Sequence, residues 1–318
     1  MGLGIGWGAI IGVGHESTWG TPVARTKFIE QASVKGGLKT ALLKADTIRG
    51  RSEVNLYRGA RMVEAEIVSE LRYEGWEDFF YHLFGKVAVA TTNSVSKQID
   101  FTFDDTLAMP TGLTIEVKYD AAGTVLWEGC KVEQCDFAFD IDKLIHATFK
   151  VVGEDETTAS ASTPTFPAAP VITWTQAVLT KDAVAKEVVS AQVSIKNGFI
   201  TDRRVMGSAN VKEHTPGRRE ITGKLDAWFD NLTDWRDALA ADSTFALVIT
   251  ATGSGIAGSS PADFYDLILT LPNVKLESHD KDVSDPGPIK QSMSFRAMKV
   301  GATEVATLRL TNLRSSVP

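Results

Sequence analysis

Along most of this chain apolar and polar side chains alternate, and twice the alternation gives way to a short stretch with apolar groups three and four residues apart. Alternation is the period of a strand with one buried face, whereas i, i+3, i+7 spacing is that of a helix with one buried stripe. In the first half, Val63 to Tyr73 alternates and runs into Trp76, Phe79 and Leu83, which share a helical face. In the second half, Ile221 to Phe229 alternates and is followed by Leu232, Trp235 and Leu239. The two stripes stand 156 residues apart (232 minus 76). Upstream, Val34-Lys-Gly-Gly-Leu38 is echoed by Ile195-Lys-Asn-Gly-Phe199 at 161 (195 minus 34), and Gly50 and Val54 match Gly207 and Val211 at 157 (207 minus 50). Loop insertions and deletions produce such drift. The chain therefore reads as two copies of one small domain, each long enough to enclose its own core.

The remaining alternating segments are Ile99 to Phe103, Leu113 to Tyr119, Val132 to Asp140 and Leu144 to Val152 in the first copy. The second copy has Val188 to Ile195, Phe245 to Thr250, Phe264 to Leu271, Val274 to Ser278, Ile289 to Met298 and Val305 to Leu310. Many short strands with one short helix per half predict a mainly β fold: two tandem β-sandwiches or partial barrels, each with one flanking α-helix. The expected boundaries are an N-terminal arm over 1–29, a first domain over 30–152, a linker over 153–170 and a second domain with a C-terminal extension over 171–318. The linker is nearly all small, acidic or proline, and Pro164, Pro167 and Pro170 keep it extended. So many strands leave exposed edges, which must be covered or paired with neighbouring subunits.

Composition narrows the chemistry. The chain is 43% hydrophobic and 23% charged with a net charge of −7. It has no run approaching the ~20 apolar residues of a membrane span, and its acidic balance suits it poorly to gripping phosphate backbones. Cys130 and Cys135 lie five apart on one expected strand, which predicts opposite faces and reduced thiols rather than a bridge. No dinucleotide fingerprint, phosphate loop, zinc-protease helix or nucleophile elbow occurs, and the five histidines are scattered, with His82 expected at a boundary position. No catalytic residue, cofactor or metal is assigned.

Two long segments, 36–60 and 198–218, read as loops rich in glycine and cations. Lys39, Lys44, Arg49, Arg51 and Arg58 in the first and Arg203, Arg204, Lys212 and Arg218 in the second are candidate contacts to acidic patches on another subunit. On the strand before the first helix, Glu64, Glu66 and Glu70 oppose the apolar face. In the second copy Thr222, Lys224, Asp226 and Asp230 occupy that side, facing either water or a shared negative surface.

The segment Glu16-Ser-Thr-Trp-Gly-Thr-Pro22, the paired Val34-Lys-Gly-Gly and Ile195-Lys-Asn-Gly-Phe segments and the strand-helix unit after each arginine-rich loop resemble major tail tube proteins of long-tailed, siphovirus-like bacteriophages, in a duplicated two-domain form. The resemblance implies a β-sandwich whose inner sheet joins its neighbours in a ring around a lumen. Three copies of a duplicated chain would supply six domains, and stacked rings would form the conduit for DNA from capsid to host. It also implies a virion-tail location with assembly in the host cytoplasm and DNA passage without sequence-specific binding. The implied partners are further copies of the chain, with the tape measure, tail terminator and distal tail proteins. Glu64, Glu66, Glu70 and Asp226 would then face the lumen. The tube of a contractile tail or a related secretion device shares this expectation. The alternative from another class is a sandwich that binds carbohydrate or a protein partner through Trp7, Trp19, Trp127 or Trp174; a hydrolase is the weakest reading.

Overall fold

The computed structural model describes residues 6–30, 33–44, 55–103, 109–229, 234–283 and 287–317. The first repeat comprises β1 (Ala9–Glu16), β2 (Lys27–Ile29), β3 (Ser33–Lys44), β4 (Leu56–Glu70), α1 (Glu77–Phe84), β5 (Gly85–Thr91), β6 (Lys97–Phe103), β7 (Gly112–Tyr119), β8 (Thr124–Asp140), β9 (His146–Gly153) and β10 (Asp155–Ala159). The second comprises β11 (Ala177–Lys181), β12 (Val184–Lys186), β13 (Val188–Lys196), β14 (Glu220–Trp228), α2 (Arg236–Ala240), β15 (Phe245–Gly255), β16 (Phe264–Asp282), β17 (Lys290–Ala297) and β18 (Thr307–Asn312). The protein is mainly β, as its alternation predicts, with two short α-helices among the described residues.

The duplication extends to strand pairing. In the first repeat β3 pairs β4, β4 pairs β9, and β9 pairs the second half of β8; in the second, β13, β14, β17 and the second half of β16 follow the same order. The first half of β8 lies between β7 and β10, with β1 and β2 beyond β7, and the first half of β16 lies between β15 and β18, with β11 and β12 beyond β15. Each long strand thus passes from the outer sheet to the inner one, and the two sheets enclose the core between them. The ladders also correct the sequence match. With a shift of 156 between β4 and β14, Val34 corresponds to Val193 rather than Ile195, since Val34 faces Ile67 and Val193 faces Gly223. A slip of two residues keeps every side chain on its face, so alternation alone does not detect it.

Two seams join the repeats. Strand β13 adds to the free edge of β8, with Ser194 opposite Asp136, so that β3–β4–β9–β8–β13–β14–β17–β16 is one continuous antiparallel inner sheet. Among the described residues the hairpin β5–β6 has no counterpart in the second repeat, where α2 runs almost directly into β15, and it crosses over to pair β6 with β18.

Helix α1 starts with the Glu77 carboxylate accepting the Gly75 N–H at 2.8 Å and stops at Gly85, whose φ of 94° suits a residue without a Cβ. Trp76, Phe79, Phe80, Leu83 and Phe84 are fully buried, with Trp76 stacked on Phe149 at 5.0 Å. The second stripe is shorter: Trp235 is buried, Leu239 is half-buried, and Leu232 lies outside the described residues.

Several boundaries differ from expectation. From Ala9 on, the N-terminal arm is part of the first sandwich, because β1 pairs β7 along its whole length. The first part of the expected linker is β10. Cys130 and Cys135 both point into the core and are free thiols, because a bulge between Val132 and Gln134 inserts one residue and restores the inward phase.

Candidate functional site

The feature these elements build together is the open face of the inner sheet. Cross-strand register sets its residues in rows. One row is Glu66, Lys150, Gln134, Lys196 and Glu220; the next runs through Thr148, Asp136, Ser194, Thr222, Arg296 and Lys275; then come Glu70, His146, Ala138, Gln192, Lys224, Ser294 and Ser278; and last Asp140, Ser190, Asp226, Ser292 and Asp280. Glu64 follows in phase with Glu66. The structure therefore brings Glu64, Glu66, Glu70 and Asp226 onto one face, though they come from strands of different repeats.

That face is not uniformly acidic. Lys150, Lys196, Lys224, Lys275 and Arg296 are interleaved with the carboxylates, and hydroxyl and amide groups fill the spaces. Asp226 accepts hydrogen bonds from Ser190 at 2.9 Å and Ser292 at 2.6 Å. Arg296 donates to Glu277 at 2.7 Å and to Glu220, which bridges three strands and raises the guanidinium pKa. Gln134 donates to Asp136 at 2.7 Å and to Ser194 at 3.2 Å, across the seam between the repeats. The result is a trough with short-range charge pairing and no continuous basic stripe.

The two expected loops behave differently. Much of 36–60 is strand: Lys39 and Lys44 lie on β3 and Arg58 on β4, all exposed, while Arg49 and Arg51 fall outside the described residues. The loop 198–218 is irregular and docks on the first repeat. Lys131 donates to Glu213 at 2.7 Å, the Arg61 guanidinium to Asn210 at 2.7 Å, and His214 packs edge-on against Trp19 at 5.8 Å. Burial pulls the His214 pKa down to about 4. The cations expected to make contacts, Arg203, Arg204, Lys212 and Arg218, face solvent.

The segment Glu16 to Pro22 has a local structural task. The buried Glu16 carboxylate accepts the N–H groups of Gly20 and Gly129 and the Thr114 hydroxyl, at 2.8 to 2.9 Å. Trp19 covers Gly129 and donates its indole N–H to that carbonyl at 3.0 Å. Trp127 is fully buried and Trp174 is partly exposed, so these tryptophans do not form a shared stacking platform; the Trp7 side chain lies outside the description.

The sequence does not reveal a buried ionic cluster that ties the chain's ends together. Arg314 donates to Glu77 at 2.7 Å and to both Asp78 oxygens at 2.7 and 2.8 Å, His15 bonds Asp78 at 2.5 Å, and Asn312 donates to Glu77 at 2.7 Å. Burial would raise the Asp78 pKa, but His15 and Arg314 outweigh it and hold the group at about 2. His82, expected at a boundary, is buried with its Nε2 3.2 Å from His15, and burial pushes its pKa well down. One signal did exist. Asp234 stands 156 after Asp78 (234 minus 78) and is likewise held by a base on the first outer strand, Lys181 at 2.9 Å. Among the described residues no cluster of three His, Cys, Asp or Glu could hold a metal ion.

With this geometry in place, comparison with known proteins adds one finding. A family model described as phage tail tube protein matches residues 6–297, across both repeats. No curated protein matches the chain.

Proposed function

The chain belongs to the phage tail tube proteins, and on that footing we propose that it is the major tube subunit, a structural protein without a catalytic role whose rings stack into a hollow conduit for DNA. One observation carries this reading: the seam at which β13 adds to the edge of β8. The second repeat presents the same edge on the second half of β16, and the first repeat presents the same incoming strand, β3. Among the described residues, both lack a pairing partner on their outer sides. Joining β16 of one copy to β3 of the next repeats the internal seam, and three such joints close six inner sheets into one ring without open edges.

In that ring the open face lines the lumen. Its interleaved charges give phosphates neither a basic stripe to bind nor a uniform negative wall, so DNA slides past without sequence-specific contact. Ring-on-ring stacking is heterologous and propagates into a tube. The β3–β4 hairpin and the 198–218 loop, with their cations, are the contact arms; tape measure, terminator and distal tail proteins meet the tube inside and at its ends. Negative-stain electron microscopy of the purified protein across a concentration series tests this. Hollow rings or tubes of pseudo-sixfold outline are expected, and a persistent monomer at every concentration overturns the reading.

A further inference from the structure

We infer that the groove beside β3 is half of an interface, completed by the end of β16 from a second copy of this chain with Val283 as the inserted side chain; the inference rests on the ring proposed above. The groove is lined by Ile10, Val34, Val117, Tyr119 and Phe166 and has a volume of about 930 Å3. Its counterpart in the second repeat lies beside β13, between Val178, Leu179, Val188 and Ile249, and has only about 280 Å3. The difference has a visible cause. The second groove is walled by Phe139, Ile141 and Ile145, at the end of β8 and in the turn after it, whereas among the described residues no equivalent wall lines the first.

The duplicated ladders identify the absent wall. Strands β8 and β16 both end on an aspartate, Asp140 and Asp282, so Val283 is the counterpart of Ile141. Ile141 continues the internal seam one residue past the strand, its N–H donating to the Val189 carbonyl at 3.2 Å. Ile141 remains 43% exposed where it joins the groove wall, and Val283 is 71% exposed. On the receiving side, the ladder match of Val193 to Val34 makes Glu30 the counterpart of Val189. The register between chains follows: Val283 beside Glu30, Asp280 opposite Ser33, and Ser278 opposite Lys35.

Directly opposed residues in an antiparallel pair have Cβ atoms about 4.5–5.5 Å apart, near enough for a disulfide after small adjustment. The test is therefore the full-length double variant Glu30→Cys with Val283→Cys, assembled and mildly oxidised. Native Cys130 and Cys135 are buried and do not compete, and loss of the partly exposed Glu30–Arg72 ion pair costs little. Expected are covalent dimers and trimers that collapse to monomer on reduction, stop at three chains, and are missing from either single variant. Rings seen by microscopy without cross-links overturn the groove assignment and leave the ring standing. Covalent ladders beyond three chains overturn the closed trimer, and a monomer that neither assembles nor cross-links overturns both. As a second measure, Val283→Asp should raise the concentration needed for assembly at least tenfold with an unchanged melting temperature; an unchanged assembly threshold contradicts the inference.

Discussion

Replacing Arg314 by Met removes the cation that joins the segment just after β18 to α1. The guanidinium is 5% exposed, and its partners Glu77 and Asp78 are 0% and 2% exposed, so the substitution leaves two buried carboxylates short of a partner. Losing one member of a buried ionic cluster costs about 3–5 kcal/mol. At roughly 2–3 °C per kcal/mol for a chain somewhat larger than those for which the scaling is usually given, the melting temperature should fall by some 6–15 °C. The acid limb gives an independent check. Asp78 titrates at about 2 in the folded chain against an ordinary 3.8. A lowered folded-state pKa contributes stability that is present above the unfolded pKa and is lost as pH falls through the folded one. At 1.36 kcal/mol per pH unit, the parent should lose on the order of 2 kcal/mol between about pH 4 and pH 2. In Arg314→Met the guanidinium no longer offsets burial, the Asp78 pKa rises toward its ordinary value, and that loss shrinks. Adding Asp78→Asn should restore part of the melting temperature by removing one stranded charge. Thermal melts followed by circular dichroism from pH 2 to 8 read all three effects. A melting temperature within 2 °C of the parent together with an unaltered acid limb would refute the reasoning.

Other consequences are as direct. Gly223→Ala places a methyl against the Phe295 ring and the Gln192 carbonyl, and overpacking of this kind costs about 1–3 kcal/mol; urea titration should show it, and Phe295→Leu in the same chain should recover part. His214 carries a folded pKa of about 4 against 6.5, so it contributes stability above pH 6.5 that is lost as pH falls toward 4, and His214→Gln should flatten the melting profile across that window. Burial raises both cysteine thiol pKa values, so Cys130 and Cys135 should resist a thiol reagent in the native state and react together on unfolding; rapid native labelling would contradict their placement. Trp19→Ala removes the cover over Gly129 and the contact to His214, and limited proteolysis should then cut first within 198–218.

The strand and helix periods, and the repetition of both, were settled by the sequence, because alternation and helical spacing are local properties of neighbouring side chains. They located β4, β6 to β9 and β13 to β18 at least in part, and the helix stripes at Trp76 and Trp235, but they passed over β1, β2, β5, β11 and β12 and read β3 as loop and β10 as linker. They also put Glu64, Glu66 and Glu70 on the polar side of their strand and Asp226 on the polar side of its own. Register, sheet membership and cross-repeat pairing belong to the tertiary structure. A slip of two residues leaves every face unchanged, so the sequence matched Val34 to Ile195 where the ladders match it to Val193. A single bulge residue reversed the phase between Cys130 and Cys135. Ile99 to Phe103 read as an ordinary alternating segment and gave no sign that β6 would pair with β5 or cross to β18. Residues 15, 78 and 314 meet only because folding closes that distance, and no local period encodes such a meeting. Whether carboxylates from two repeats share one trough, and whether lysines stand among them, was decided by the order in which eight strands pair, since hydrogen bonds between strands, not the pattern within them, set that order.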